Sequence, residues 1–363
     1  IQAPHFSSRQ VTQLHWGGGT PTFLLSAQIT RLMKILRNNF NLQEDAELSI
    51  EVDPREIELS TIDHLAREGF NRLSLGVQDF NKAVQKAVNR EQDENFIIQL
   101  LTRAKEQGFQ STNLDMIYGL PLQTKQSFAH TLEKVLELDP ARLSIFNYAH
   151  MPALFAAQRK INEDDMPKAS EKLAILQYTI EFLTRSGYQF IGMDHFAKPD
   201  DELAIAQQQG VLHRNFQGYT TQEDADLLGL GVSAISQIGD SYSQNRKKLS
   251  DYYQQIDELG HAQWRGVALN QDDIIRREVI KKLICNFKLD IKQIEQKFSL
   301  VFNDYFAEDL KLLQCFIDDQ LLTISSDTIT VQPKGRLLIR NICMCFDIYL
   351  RKKARQQQFS RVI

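Results

Sequence analysis

The side chains of this 363-residue chain that could do chemistry recur at one place in a repeating pattern. Glu51 with Asp53, Gln78 with Asp79, Asp115, and Asn147 with His150 each stand at the end of a short apolar run. Near the start of the chain a glycine turn takes that place: Leu14-His15-Trp16-Gly17-Gly18-Gly19-Thr20-Pro21, into which Val11, Leu14 and Trp16 lead. A strand, a glycine turn and then a helix opened by Ser26 bring backbone N–H groups close to a polar ligand, because glycine leaves them unshielded and permits positive φ. A plain βα turn accounts for three glycines equally well. Helix caps and turns likewise account for many polar strand ends, Asp53-Pro54 and Asp139-Pro140 among them.

Other kinds of chemistry find less support. Cys285, Cys315, Cys343 and Cys345 fit no strong metal-ligand spacing. Cys343 and Cys345 flank Met344 in a helical pattern, where residues two apart point in different directions, and all four read as buried thiols. His15, His150, His195 and His213 lack metal-type pairing. Neither a nucleophile elbow nor a phosphate-binding lysine loop occurs.

The elements that must position the strand-end residues follow from a unit of helix, glycine, aromatic residue and apolar strand. Ile29, Leu32, Met33, Leu36 and Phe40 share one helical face before the strand 47–52. Helices are expected before Gly69-Phe70, Gly108-Phe109 and Gly187-Tyr188, where glycine leaves the helix by a left-handed turn, and before Asp139-Pro140. Strands follow at 73–77, 114–118, 143–146 and 190–193. Strands alternating with helices imply a parallel sheet with right-handed crossovers, here a βα barrel, whose active face lies at the strand C-terminal ends.

Beyond residue 150 the repeat decays. Leu228-Gly229-Leu230-Gly231 to Ile235 reads as close backbone packing or as a ligand-facing loop. From 265 onward the pattern becomes helical: 274–287, 305–317, a hairpin of 321–324 and 328–331 around Ser325-Ser326-Asp327, then one helix over 336–353. This resembles a small winged-helix-like module that packs on a partner domain. The tail carries Arg351, Lys352, Lys353, Arg355 and Arg361, a solvated helix end. The expected division is a barrel core over 1–195, an extension packing on the barrel over 196–264, and a helical C-terminal domain with a hairpin over 265–363.

Composition bounds the rest. A hydrophobic content of 42% and charged content of 24% describe an ordinary globular chain. A net charge of −4 and a pI near 6.1 argue against a general nucleic-acid binder. No apolar run reaches the roughly 20 residues that span a bilayer. Four cysteines suggest no disulfide framework, so a reducing cytoplasm is the expected compartment. Ile1 to Gln10 show no capping or strand pattern and Ile1 is not methionine, which leads us to expect a chain that begins part-way through a longer protein.

Several motifs occur together and in order: His15-Trp16-Gly17-Gly18-Gly19-Thr20-Pro21, Glu51-Val52-Asp53-Pro54, Gly76-Val77-Gln78-Asp79-Phe80, Asn89-Arg90 and Asp115-Met116-Ile117-Tyr118-Gly119-Leu120-Pro121. Phe146-Asn147-Tyr148-Ala149-His150, Met193-Asp194-His195-Phe196, Phe216-Gln217-Gly218-Tyr219-Thr220-Thr221 and Gln358-Phe359-Ser360-Arg361-Val362-Ile363 continue the series. Over essentially its whole length the chain resembles the oxygen-independent coproporphyrinogen III oxidases, a branch of the radical S-adenosylmethionine superfamily. The first group of motifs is shared with sister families that include haem chaperones. The later group singles out the oxidases.

The resemblance implies a partial radical-SAM βα barrel, here lacking its first strand, with a winged-helix-like C-terminal domain. It implies two S-adenosylmethionines at the strand ends. One is met by Gly18, Glu51 and, through the main chain, Ile235. The other is met by Gly19, Thr20, Gln78, Arg90, Asp115 and Ala149. Carboxylates can accept from ribose hydroxyls or an ammonium, Arg90 can grip a carboxylate in bidentate fashion, and glycine N–H groups suit a methionine carboxylate. The implied reaction is removal of hydrogen from a propionate β-carbon by a 5′-deoxyadenosyl radical, with loss of CO₂ and one electron, twice, giving protoporphyrinogen IX. A reduced [4Fe-4S] cluster and an electron donor such as flavodoxin or ferredoxin are implied with it, in a monomer.

The family's cluster cysteines, spaced Cys-x3-Cys-x2-Cys on the loop after the first barrel strand, have no counterpart in this sequence. We therefore expect a truncated oxidase without its cluster ligands, inactive alone. A haem chaperone of the sister family and a clusterless S-adenosylmethionine or porphyrin binder are the alternatives.

Overall fold

The computed structural model describes residue 6 and residues 8–223 and 225–353. The described residues divide into two compact units, one built from those up to 190 and from 194–201, the other from 191–193 and those from 202 to 353.

The first unit carries β1 (Gln10–Trp16), α1 (Ser26–Asn39), β2 (Asn41–Val52), α2 (Leu59–Arg67), β3 (Arg72–Gln78), α3 (Lys82–Ala87), α4 (Glu94–Glu106), β4 (Ser111–Tyr118), α5 (Lys125–Leu138), β5 (Arg142–Asn147) and α6 (Ala169–Arg185). Its half-barrel sheet is completed by β6 (Gln189–Gly192) and β7 (His195–Ala197), in the order β1-β2-β3-β4-β5-β7-β6. Strands β1 to β5 pair in parallel, as strand–helix alternation requires.

Alternation with period two sorts the strand residues onto two faces. Leu48, Ile50 and Val52, Leu73, Leu75 and Val77, and Leu114 and Met116 are all buried. The helix layer presents Ile29 and Met33, Ile62 and Leu65, Ile97 and Leu100, and Phe128 and Leu132, none more than 1% exposed. The other face takes Ser49 and Glu51, Ser74 and Gly76, Asn113 and Asp115, and Ser144. The register aligns Glu51 with Ser74, and Asp115 with both Gly76 and Ser144. A polar row therefore crosses the sheet near its C-terminal end.

The glycine–aromatic signature of the helix ends is a Schellman motif. At the end of α2, Gly69 (φ +85) donates its N–H to Ala66 O and Phe70 donates to Leu65 O; Gly108 (φ +84) and Phe109 repeat this with Lys105 and Ala104. Helix α5 stops at Asp139, itself left-handed at φ 51. The strand expected at 190–193 does not follow β5 in the sheet. The chain turns at Met193 (φ 52), and β7 lies antiparallel against β5, inside β6. A sharp turn needs no crossover helix, so the parallel pattern ends there.

The second unit begins with α7 (Glu202–Gln208), β8 (His213–Asn215) and β9 (Gly218–Thr220). A three-stranded antiparallel sheet follows, of β10 (Ile235–Ile238), β11 (Ser241–Asn245) and β12 (Gln263–Ala268), with α8 (Leu249–Leu259) between its last two strands. The glycine-rich stretch 228–235 packs backbone on backbone: a Cβ on Gly229 would lie 2.6 Å from Ile235 O. Next come α9 (Gln271–Asn286), β13 (Lys288–Asp290), α10 (Ile291–Phe298), α11 (Phe302–Tyr305), α12 (Ala307–Asp318), β14 (Leu322–Ile324) and β15 (Thr328–Val331). The expected hairpin gains β13 as a third strand, in the order β13-β15-β14.

The single helix expected over 336–353 is divided into a 3₁₀ segment, α13 (Ile339–Met344) and α14 (Ile348–Lys353). Asp347 causes the second break. Its carboxylate accepts from the N–H groups of Tyr349 and Leu350, so it caps a new helix. The break sets Phe346, fully buried, 5.5 Å from the Phe306 ring. Cys285, Cys343 and Cys345 are buried as expected, but Cys315 is exposed, because it lies outside the buried Asp309–Leu313 stripe of α12. Arg355, Arg361 and the motif 358–363 lie outside the described residues.

Between β3 and α3, Asp79 is 1% exposed and accepts from Thr131 Oγ1 at 2.6 Å, Gln123 Nε2 at 2.5 Å and the Asn81 N–H at 2.8 Å. This strand-end carboxylate ties β3 to α5. Asp79→Ala strands three donors and should cost about 2–4 kcal/mol of stability, read as a lower denaturation midpoint; an unchanged midpoint would mean that water takes over their bonds.

Candidate functional site

The glycine turn closes directly on the next strand end. Gly18 (φ +79) donates its N–H to Glu51 Oε2 at 3.2 Å. His15 places Nε2 3.4 Å from Glu51 Oε1, and its Nδ1 lies 2.8 Å from Ser49 Oγ. His15 first, through its hydrogen bond, and then the Gly18 N–H hold the Glu51 carboxyl below its ordinary range against the opposing cost of burial. A Cβ on Gly17 would lie 2.5 Å from His15 Nε2 and 2.7 Å from Glu51 Oε1, so any side chain there would displace both groups. Beside Gly18 and Gly19 the space is open. Thr20 carries the turn into a short 3₁₀ helix through its carbonyl, which accepts from the Phe23 N–H at 2.9 Å, and its hydroxyl makes no capping bond.

Gln78 ends β3 with φ 68, a left-handed conformation that costs a non-glycine residue about 1 kcal/mol or more. A register shift between Gly76 and Gln78 accompanies it, and the Gln78 amide folds back to 2.9 Å from where a Gly76 Cβ would sit. Arg90 reaches the same strand end because α3 stops at left-handed Asn89 (φ 53), so that the Arg90 N–H bonds Gln85 O. Its Nη2 donates to Asp53 Oδ2 at 3.0 Å and to Gly76 O at 3.4 Å, while its Nε is buried without a partner. Asp53 also holds Arg55 at 2.7 Å, so it positions guanidinium groups rather than facing a ligand. Burial lowers the Arg90 pKa.

Asp115 lies in the polar row. Ser74 Oγ donates to its Oδ2 at 2.9 Å and Asn113 Nδ2 to its Oδ1 at 2.8 Å, with Ser144 Oγ on Asn113 Oδ1 at 3.2 Å. Burial raises its pKa despite these donors, and the like charge of Glu51 adds to the rise. The two strands that flank β3 thus carry carboxylates pushed in opposite directions. Ala149 follows β5, and its carbonyl accepts from Gln158 Nε2 at 3.1 Å.

Gly18, Gly19, Thr20, Glu51, Gln78, Asp115 and Ala149 all belong to the first unit, on its strands toward their C-terminal ends or on the loops that follow them, and Arg90, which follows α3 in the same unit, reaches that end with its side chain. Ile235 belongs to the second unit, where it opens β10 opposite Gln244. Ser74 and Ser144 fall within the expected strands 73–77 and 143–146, and Asn113 stands just before that of 114–118; only Asn113, two residues from Asp115, carries a local spacing that marks it as a partner of the carboxylate. His15 has no decisive local signal, because its role rests on a strand 34 residues away.

The sequence matches the model of the Radical SAM superfamily over residues 2–135 and that of the HemN C-terminal domain over 269–338. It is 68% identical over 362 residues to the oxygen-independent coproporphyrinogen III oxidase of Escherichia coli, covering 100% of this chain and 79% of that protein. The Pseudomonas aeruginosa protein of the same name is 52% identical over 366 residues, again with 100% and 79% covered. The solved structure of the Escherichia coli enzyme, described as a radical SAM enzyme, superposes with a TM-score of 0.95 over 96% of this chain and 80% of that one.

Burial raises the Asp115 pKa above its ordinary 3.8, so between these values the native state holds more protons than the unfolded state, and stability falls as pH rises through that window. Asp115→Asn keeps an acceptor for Asn113 and should unfold at a higher temperature than the parent at pH 7, with the gap closing below about pH 4. An equal gap at both pH values would remove ionisation as its cause. The half-barrel with its polar strand ends, the two matched family models and the identity over the whole chain place this protein among the oxygen-independent coproporphyrinogen III oxidases of the radical SAM superfamily.

Proposed function

We propose that the strand ends of the first unit hold S-adenosylmethionine for the oxygen-independent oxidative decarboxylation of coproporphyrinogen III to protoporphyrinogen IX, in haem synthesis. The observation that carries this reading is the row running from the Gly18–Glu51 contact through Gln78 and Arg90 to Asp115, in a chain 68% identical along its length to a protein of that name.

The residues fit S-adenosylmethionine. Open space beside two left-handed glycines, a carboxylate held ionised, a guanidinium with an unpartnered Nε and a buried carboxylate suit a zwitterionic ligand with ribose hydroxyls. Gly18 and Glu51 would hold one molecule. Gly19, Thr20, Gln78, Arg90, Asp115 and Ala149 would hold a second. When bound, the group supplies one-electron chemistry that removes hydrogen from a propionate β-carbon. Glu51 would accept from an ammonium or a ribose hydroxyl, Arg90 would receive a carboxylate, and Asp115, kept dry by the strands, would accept from a hydroxyl without competition from water.

Membership in the superfamily implies a [4Fe-4S] cluster as well, and the thiols of this sequence do not fit one. All four cysteines fall within 285–345. Burial pushes the Cys285 thiol up to about 12 and the Cys345 thiol to about 11, and raises that of Cys343 too, against the thiolate a cluster needs. Among the described residues no group of three His, Cys, Asp or Glu side chains could hold a metal ion. Coproporphyrinogen III as substrate, flavodoxin or ferredoxin as electron donor, a monomeric state and a cytoplasmic setting complete the reading. No helix among the described residues is long and apolar enough to cross a membrane.

Calorimetric titration with S-adenosylmethionine tests the site. Glu51→Ala, Arg90→Ala and Asp115→Ala should each weaken binding by about tenfold or more, since each removes a charged hydrogen-bond partner; parent-like affinity in all three would reject it. After anaerobic iron–sulfur reconstitution and reduction, this chain should give no [4Fe-4S] signal by electron paramagnetic resonance, and a stoichiometric signal would show that its thiols can serve.

A further inference from the structure

A cation of the first unit has no place in the reading above. Lys172, on the first turn of α6, lays its side chain across the turn that follows β4. Gly119 makes that path possible. With φ +83 and no side chain, it leaves the space in which a Cβ would lie 3.0 Å from Lys172 Cε, 3.2 Å from Cδ and 3.3 Å from Nζ. The ammonium then meets the end of the neighbouring strand, where Nζ lies 3.4 Å from the carbonyl of Tyr148, the residue before Ala149. Tyr148 is itself held by its N–H bond to Tyr118 O, the last residue of β4. Lys172 therefore bridges the C-terminal ends of β4 and β5, beside Gly119, which lies four residues after Asp115.

One long hydrogen bond to a carbonyl leaves most of the donor capacity of an ammonium unused. No carboxylate pairs with Lys172 among the described residues. The adjacent Glu171 is turned to the Lys125 N–H, which donates to its Oε1 at 2.6 Å. Burial without a compensating anion lowers the Lys172 pKa. Most half-buried lysines rest against a carboxylate or extend to water. This one is held over a glycine, at the end of the sheet where the ligand-facing residues gather, with its charge uncompensated.

We propose that Lys172, seated over Gly119, is the receiving point for a ligand carboxylate at the outer end of β4 and β5. The inference rests on the reading of the strand ends as the ligand site. Both of that reaction's ligands carry carboxylates: S-adenosylmethionine has one, and the porphyrinogen has four propionates. The ammonium provides a point charge that an anion reaches from several directions, which suits a flexible propionate arm. Gly119 acts by leaving room for the lysine stem, which gives a function to the glycine of the Tyr118-Gly119-Leu120-Pro121 motif.

The test is equilibrium binding. Calorimetry follows S-adenosylmethionine, and fluorescence follows coproporphyrin III, the stable oxidised form of the substrate, beside its tetramethyl ester. Lys172→Met keeps the apolar stem and removes the charge. It should weaken either the S-adenosylmethionine or the coproporphyrin III arm by about tenfold, and leave the ester at parent affinity. The arm that moves identifies the carboxylate. Lys172→Arg should restore most of the loss. Parent-like affinity of Lys172→Met for both acids overturns the proposal, as does an equal loss for acid and ester, which would mark a packing role. As a second readout on the parent chain, saturating ligand should slow reductive methylation of Lys172 severalfold, and an unchanged rate also counts against it. A parent chain that binds neither acid refutes the ligand-site reading, whereas a parent that binds with Lys172→Met unaffected refutes this inference alone.

Discussion

Solvating a carboxylate inside a sheet is the constraint around which the first unit is arranged. Asp115 sits on a central strand, where a bare charge would be costly. Short polar side chains on its own strand and both neighbours answer it: Ser74 from β3 and Asn113 from β4 itself donate to it, and Ser144 from β5 donates to Asn113. That answer works in one register only. A slip of one residue would turn Leu73, Leu114 or Leu143 toward the carboxylate and move the apolar set off the helix layer. Core packing and the polar row are therefore specified together, and the strands cannot satisfy one without the other.

The strand-end loops then follow a common device, in which a left-handed residue turns the chain so that a polar group faces back over the sheet. Gly18 and Gly19 do this after β1, Gln78 after β3 and Asn89 after α3. Gln78 is the informative case, because a glutamine at φ 68 stores strain that glycine would not. Its side chain is retained and folds over Gly76, which has none. Strain kept at a position that a simpler residue would relax points to a use for the amide. Asp53 shows the complementary economy: by holding Arg55 and Arg90 together, it aims one guanidinium at the strand end while lowering the cost of its burial.

The second unit relies on a different kind of order. Its aromatic core of Phe302, Phe306 and Phe346 is closed by the break at Asp347. Nearby, buried Asp309 receives Arg276 at 2.7 Å and Arg351 as well. A carboxylate held by two guanidiniums fixes the last described helix against α9 and α12. Three of its thiols, those of Cys285, Cys343 and Cys345, serve packing, which agrees with their raised pKa values.

Local chemistry made much of this legible from the residues alone. Glycine–aromatic pairs end helices because the left-handed turn and its two hydrogen bonds are set within six residues. Period-two and period-3.6 patterns likewise name the buried faces without knowledge of the partner. The motifs with their order made the family recognisable, and Glu51, Gln78 and Asp115 were legible as strand-end positions. What the residues alone left open depended on groups distant in the chain. His15 acquires its role from Ser49 and Glu51, Asp115 from Ser74 and Ser144, and Lys172 from Gly119 and Tyr148. The antiparallel β7, the divided terminal helix and the exposed Cys315 were open for the same reason, since a turn, a cap and a packing stripe are chosen by tertiary contacts. A side chain's electrostatic neighbours are set by sheet register and loop closure, and those are decided when the strands pair.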